Sequence, residues 1–119
     1  YDYPIVEVGL QPIIRQANPR YINLCGQLSL LETAEVIRGA RLFIGIDSGP
    51  AHMANAMQTT GILLLGKLFD FVDYMPYSGR YKRGEGITIL NNFGHPCAEL
   101  PYDWVPEAVM QQLGQPKLV

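Results

Sequence analysis

Between Arg41 and Gly66 an apolar run, Leu42-Phe43-Ile44-Gly45-Ile46, meets a polar turn, Asp47-Ser48-Gly49-Pro50. A helix-forming segment follows, and a second apolar run, Ile62-Leu63-Leu64-Leu65, closes the unit. The order reads as strand, turn, helix, strand. Runs that are continuous rather than alternating predict strands covered on both faces, as in a parallel sheet wrapped by helices. Pro50 suits the first helical position, where its missing N–H has no intrahelical partner anyway, so the helix should start at Ser48 or Gly49. Its N–H groups and positive dipole end then lie at the carboxyl edge of a strand, where open α/β sheets receive ligands and phosphates. The turn is an expected anion site.

The flanking elements follow the same logic. Pro4 to Gly9 reads as a strand ending on glycine, which lets the backbone turn sharply or a ligand approach closely, so Gly9 and Gln11 form a second loop at the ligand edge. Two prolines and Asn18 make Gln11 to Arg20 an irregular connection. Tyr21 to Cys25 is the next strand, and Gly26 to Leu28 leads to Ser29-Leu30-Leu31-Glu32, a capping box. In the helix that follows, Leu30, Leu31, Ala34 and Ile37 share a face, and Gly39 ends it. Lys67 to Arg83 reads as a long, partly ordered loop, Ile87 to Leu90 as the last strand, and Pro106 to Leu113 as a terminal helix. The sum is an α/β fold, a Rossmann-like parallel sheet of about four strands with flanking helices, with the Gly9, Gly26 and Asp47 loops on one edge.

At 119 residues the chain forms one domain, and 48% apolar against 17% charged residues is a globular balance with a sparing surface, part of which suits a missing partner. The start at Tyr1, without Met and close to a strand, reads as a fragment of a longer protein. A net charge of −2 offers no footprint for nucleic acid or an anionic membrane. The basic cluster Arg80-Tyr81-Lys82-Arg83 is either a solvated loop or a phosphate contact. Cys25 and Cys97 make no disulfide framework, no apolar run is long enough to cross a bilayer, and a cytoplasmic setting with reduced thiols is expected. His95-Pro96-Cys97 lacks partners at a recognised metal-ligand spacing, so no metal and no cofactor is expected.

Each turn residue carries two readings. Asp47 caps the turn or holds a sugar hydroxyl; Ser48 is a plain N-cap or joins backbone N–H groups around a diphosphate, or both. Gly49, lacking Cβ, admits a phosphate close to the backbone. His52 donates to a phosphate oxygen, acts as a general base, or is a buried structural histidine; the helix N-terminus disfavours its protonated form. Met53, Ala54 and Met57 are core residues. Rival motifs fail on spacing: Ile46 and Pro50 stand where a nucleophile elbow around Ser48 needs glycines, and neither a Walker loop nor a dinucleotide fingerprint is present.

Phe43 to Ala54, preceded by Leu24-Cys25-Gly26-Gln27-Leu28-Ser29-Leu30-Leu31-Glu32, resembles the C-terminal half of the heptosyltransferase-like glycosyltransferases, family 9. The resemblance implies the two-Rossmann-domain GT-B architecture, with this chain as the half that binds the nucleotide-diphosphate-sugar donor. It implies that Asp47, Ser48, Gly49, Pro50 and His52 line the donor site, and that Gly26 to Leu28 lies near the nucleobase. A glutamate that holds the ribose in that family falls in a region where this chain has the Gln11 to Pro19 connection, so Gln11 is its substitute, and an ADP-heptose donor is less firmly implied. The catalytic base and an acceptor-binding domain would lie in a missing N-terminal half, with a glycan or lipid-linked acceptor, peripheral membrane association at most, and no turnover by this piece alone. The rival expectation is a noncatalytic Rossmann-like module for nucleotide binding or assembly.

Overall fold

The computed structural model describes residues 3–15, 18–67 and 77–114. Among the described residues five strands and four α-helices follow one another, with a helix between strands from β2 onward: β1 (Ile5–Glu7), β2 (Tyr21–Asn23), α1 (Leu30–Arg38), β3 (Phe43–Ile46), α2 (Gly49–Ala56), β4 (Gly61–Gly66), α3 (Gly79–Lys82), β5 (Ile87–Asn92) and α4 (Trp104–Leu113). All strand pairs are parallel, as α/β alternation requires, so the Rossmann-like expectation holds. The number and grouping of strands differ from it. There are two sheets, a pair β1-β2 and a trio β3-β4-β5, rather than one sheet of about four strands.

The middle strand of the trio carries the core. Ile62, Leu63 and Leu65 in β4 are fully buried, each such side chain contributing about 1.5–3 kcal/mol relative to exposure. Ile37, Phe43, Ala51, Ala54, Tyr77 and Tyr81 form one core with Leu63 and Leu65, with Val8, Met53, Ile87 and Ile89 packed against it. Met57, by contrast, ends α2 on the surface. The expectation of strands covered on both faces holds for β4 and fails for β3, where Phe43 is buried but Ile44 and Ile46, two residues apart on one face, are exposed.

Polar links fix the layers. The α1 capping box forms as expected, with Ser29 Oγ accepting from the Glu32 N–H at 3.1 Å and Glu32 Oε1 accepting from the Ser29 N–H at 2.9 Å. Its apolar face is narrower than expected: Ile37 is buried, but Leu30 and Leu31, in the first turn, are 76% and 85% exposed. Thr59 Oγ1 donates to the Ile37 carbonyl at 3.0 Å, and Tyr81 Oη donates to the Thr59 carbonyl at 2.6 Å, so the end of α1, the start of β4 and α3 are bolted together. Burial pushes the Tyr81 hydroxyl up to about 12, which keeps it a donor. At the other end of β4, a Cβ on Gly66 would overlap the Cys97 backbone nitrogen and stand 2.7 Å from the His95 carbonyl, so only glycine admits that loop. Gln112 Nε2 donates to Thr88 Oγ1 at 2.9 Å and holds α4 to β5.

The Gln11 to Arg20 connection is irregular where described. The short helix α3, at Gly79–Lys82, stands within a segment read as loop; the part of that expectation at 68–76 lies outside the described residues. The terminal helix begins at Trp104, two residues before Pro106. Among the described residues no helix is long and apolar enough to cross a membrane.

Candidate functional site

At the carboxyl end of β3 the chain passes through Asp47 and Ser48 into α2, as the sequence predicts. Ser48 is the N-cap residue in extended conformation, Gly49 is the first helical residue and Pro50 the second, one place later than expected. Ser48 does not cap with its side chain; its hydroxyl donates back to the Ile46 carbonyl at 3.2 Å. The Ser48 carbonyl accepts from the N–H groups of Ala51, at 3.1 Å, and His52, at 3.2 Å. Pro50 has no N–H, so of the helical residues in the first turn only Gly49 has an amide to which no described residue offers an acceptor. The anion cradle is therefore narrower than a row of free N–H groups. A Cβ on Gly49 would meet nothing within 4 Å, so the space beside its α-carbon is open.

Asp47 is no helix cap. Its Oδ1 accepts from Tyr77 Oη at 2.8 Å and lies 3.6 Å from His52 Nε2. The rings of His52 and Tyr77 stack with centroids 4.3 Å apart and planes 28° from parallel. Tyr77 is 3% exposed, whereas the His52 side chain is half exposed, so the reading of His52 as a buried structural histidine does not hold. A carboxylate, an imidazole and a phenol thus share one corner at the start of α2. Sequence reasoning missed Tyr77, because thirty residues separate it from Asp47.

The segment that follows Tyr77 is clamped to α2. Asn55 Nδ2 donates to the Ser78 carbonyl at 2.8 Å, and Asn55 Oδ1 accepts from the Tyr81 N–H at 3.1 Å. Beside this clamp His52, Asn55, Gln58, Ser78, Arg80 and Arg83 line an open cleft of about 390 Å³. The basic cluster is more ordered than a solvated loop: Tyr81 is core, Arg83 pairs with Glu85 at 3.1 and 3.2 Å, and Arg80 donates to Gln58 Oε1 at 3.2 Å.

The Gly9 and Gly26 loops, at the ends of β1 and β2, come together: the Gly26 N–H donates to the Gly9 carbonyl at 2.8 Å. Both glycines have positive φ, and a Cβ on Gly26 would approach the Leu10 carbonyl to 3.1 Å. Gln11 is exposed on this loop and Leu28 is half-buried. No described hydrogen bond or ion pair joins Gly9, Gln11, Gly26 or Leu28 to the Asp47 corner. The organiser of the loop is Glu7, which sequence reasoning also passed over. It accepts from Tyr21 Oη at 2.7 Å and from the N–H groups of Ile13, at 2.7 Å, and Ile14, at 3.3 Å. These bonds, Tyr21 first, hold its carboxyl below the usual range, and the same carboxylate pushes the Tyr21 hydroxyl up to about 12. Cys25 and Cys97 are free thiols, and among the described residues no three His, Cys, Asp or Glu side chains group as metal ligands.

Residues 7–85 match the profile of glycosyltransferase family 9 (heptosyltransferase), a span that runs from the last residue of β1 past α3 and includes every site residue above. A 60-residue stretch is 40% identical to lipopolysaccharide heptosyltransferase 3 of Escherichia coli, covering 50% of this chain and 17% of that protein's length. No solved structure matches the chain. With two thirds of its residues inside the family profile, the chain belongs to glycosyltransferase family 9.

Proposed function

We propose that this chain is the donor-binding part of a glycosyltransferase that moves a sugar, with a heptose as first candidate, from a nucleoside diphosphate onto an envelope glycan such as lipopolysaccharide. The observation that carries the reading is the corner at the start of α2. An open glycine amide stands beside a carboxylate and an exposed imidazole at the carboxyl end of a parallel strand. The family and the Escherichia coli relative support it.

In this reading the diphosphate sits before Gly49. The Gly49 N–H and a His52 N–H donate to its oxygens, and the dipole of α2 favours its charge. Asp47 accepts from a hydroxyl of the sugar. As the bond from sugar to diphosphate breaks, negative charge grows on the leaving oxygen, and donors fixed in advance lower the barrier without reorganising. The acceptor and the base that deprotonates it belong to a partner domain at the inner face of the membrane, and the Gly9, Gln11, Gly26 and Leu28 loops receive the nucleoside.

Gly49→Val tests this. Gly49 has no positive φ and its Cβ direction is open, so valine should cost at most about 1 kcal/mol in stability. Its methyls would occupy the phosphate position, so a nucleoside diphosphate that binds the chain with a Kd on the order of 1 mM should bind at least roughly tenfold more weakly. A thermal melt beside an NMR titration reads both. A folded variant with unchanged affinity would reduce Gly49 to an ordinary helix start and favour a noncatalytic module.

A further inference from the structure

Tyr77 lies eleven residues beyond β4 yet ends inside the core, and two of its features aim at the proposed donor corner. Its hydroxyl donates to Asp47 Oδ1, and its ring face carries the His52 imidazole. A solitary carboxylate on a turn samples several rotamers, and each must be given up when a ligand binds. A buried donor at 2.8 Å removes that freedom beforehand, and a hydrogen bond to a charged acceptor is among the stronger ones. Both Tyr77 Oη and His52 Nε2 face the same oxygen, Oδ1, which leaves Oδ2 to accept from a ligand hydroxyl.

We infer that Tyr77 is a positioning residue for sugar recognition: it fixes Asp47 so that one carboxylate oxygen reads a hydroxyl of the donor sugar, and it holds the His52 ring flat beside it. This rests on the donor-binding reading above. It assigns the sugar to Asp47 and Tyr77 while leaving the diphosphate to Gly49. The clamp of Asn55 on Ser78 and Tyr81 anchors the backbone just after Tyr77 to the same helix that carries His52.

Tyr77→Phe keeps the stacked ring and deletes the hydroxyl. The test compares each of three nucleotide sugars, ADP-heptose, UDP-glucose and GDP-mannose, with its own nucleoside diphosphate, by NMR titration of the 119-residue chain below its melting temperature. For the sugar nucleotide that wild type prefers, Tyr77→Phe should lose roughly tenfold in affinity, while the matching diphosphate should change by less than about twofold. In an Asp47→Asn background Tyr77→Phe should add little, because the two act as a unit. A merely structural tyrosine would weaken both ligands together, and that outcome overturns the inference, as does an unchanged sugar preference. Tyr77→His, which keeps a flat ring with an N–H donor, is the second variant should Tyr77→Phe not fold; retained sugar preference supports the inference, and equal loss for both ligands overturns it. If wild type binds no member of the three pairs, the donor reading itself falls, and this inference with it. If Asp47→Asn weakens the sugar nucleotide and Tyr77→Phe does not, only the role of Tyr77 falls.

Discussion

In the trio β3-β4-β5 the central strand is sealed between layers, with Ile62, Leu63 and Leu65 at or near zero exposure, whereas in the pair β1-β2 Ile5, Val6 and Ile22 remain open to solvent. Both sheets are parallel, but they are held by different means. The trio is held by burial and by the Tyr81–Thr59–Ile37 chain of hydrogen bonds. The pair has three-residue strands, and its loop is held by the polar contacts of a single carboxylate, Glu7. Stability is therefore uneven, and local opening should be easier in the pair. The candidate site is split along the same line. The Asp47 corner stands on the well-packed trio, while the Gly9, Gln11 and Gly26 loops stand on the weaker pair, where Leu10 and Ile13 are 91% and 81% exposed.

Breaking the trio should have the largest effect. Tyr81→Ala removes a 1% exposed ring from the centre of the core and its bond to the Thr59 carbonyl, and should cost about 4 kcal/mol, read as a shift of the urea midpoint for the whole chain. A loss confined to residues 79–83 would mean that the trio is not one cooperative unit.

The Glu7 anchor of the pair should respond to acid. Its carboxyl is held below the ordinary 4.5, so the stability it gives is present above that pH and is lost as pH falls through the lowered folded value. Amide exchange at Ile13 and Ile14 should accelerate as the pH is lowered below 4.5, beyond the intrinsic pH dependence, while β4 amides keep their protection. Glu7→Gln should produce the same local loosening at neutral pH and abolish its acid dependence. Uniform loss across both sheets would contradict the division.

The smallest effect belongs to Ile22→Ala. Ile22 is 45% exposed in β2, so truncation should shift the melting midpoint by under about 1 kcal/mol equivalent. A cost like that of a β4 leucine would show that the pair is covered after all.

Local chemistry was legible in the residues. Ser29 and Glu32 form their capping box because both partners lie within four residues, and the Asp47 to His52 turn lies at the end of β3 because an apolar run and a proline bracket it. The apolar face of α1 was legible only in part. Periodicity ranks Leu30 and Leu31 with Ile37, but a helix buries only what another layer covers, and α2 meets only part of it. Met57 was misjudged for the same reason.

The sequence by itself determined the parallel α/β order, a helix that starts at Ser48 or Gly49 and the family to which the chain belongs, because each of these is written in neighbouring residues. The tertiary structure alone decided that Asp47 meets Tyr77 instead of capping the helix, that Glu7 gathers Tyr21, Ile13 and Ile14, and that the five strands of the described residues part into two sheets. Those choices depend on contacts between residues far apart in the chain. Their energies are set by which surfaces meet when the layers close, and no local pattern encodes that.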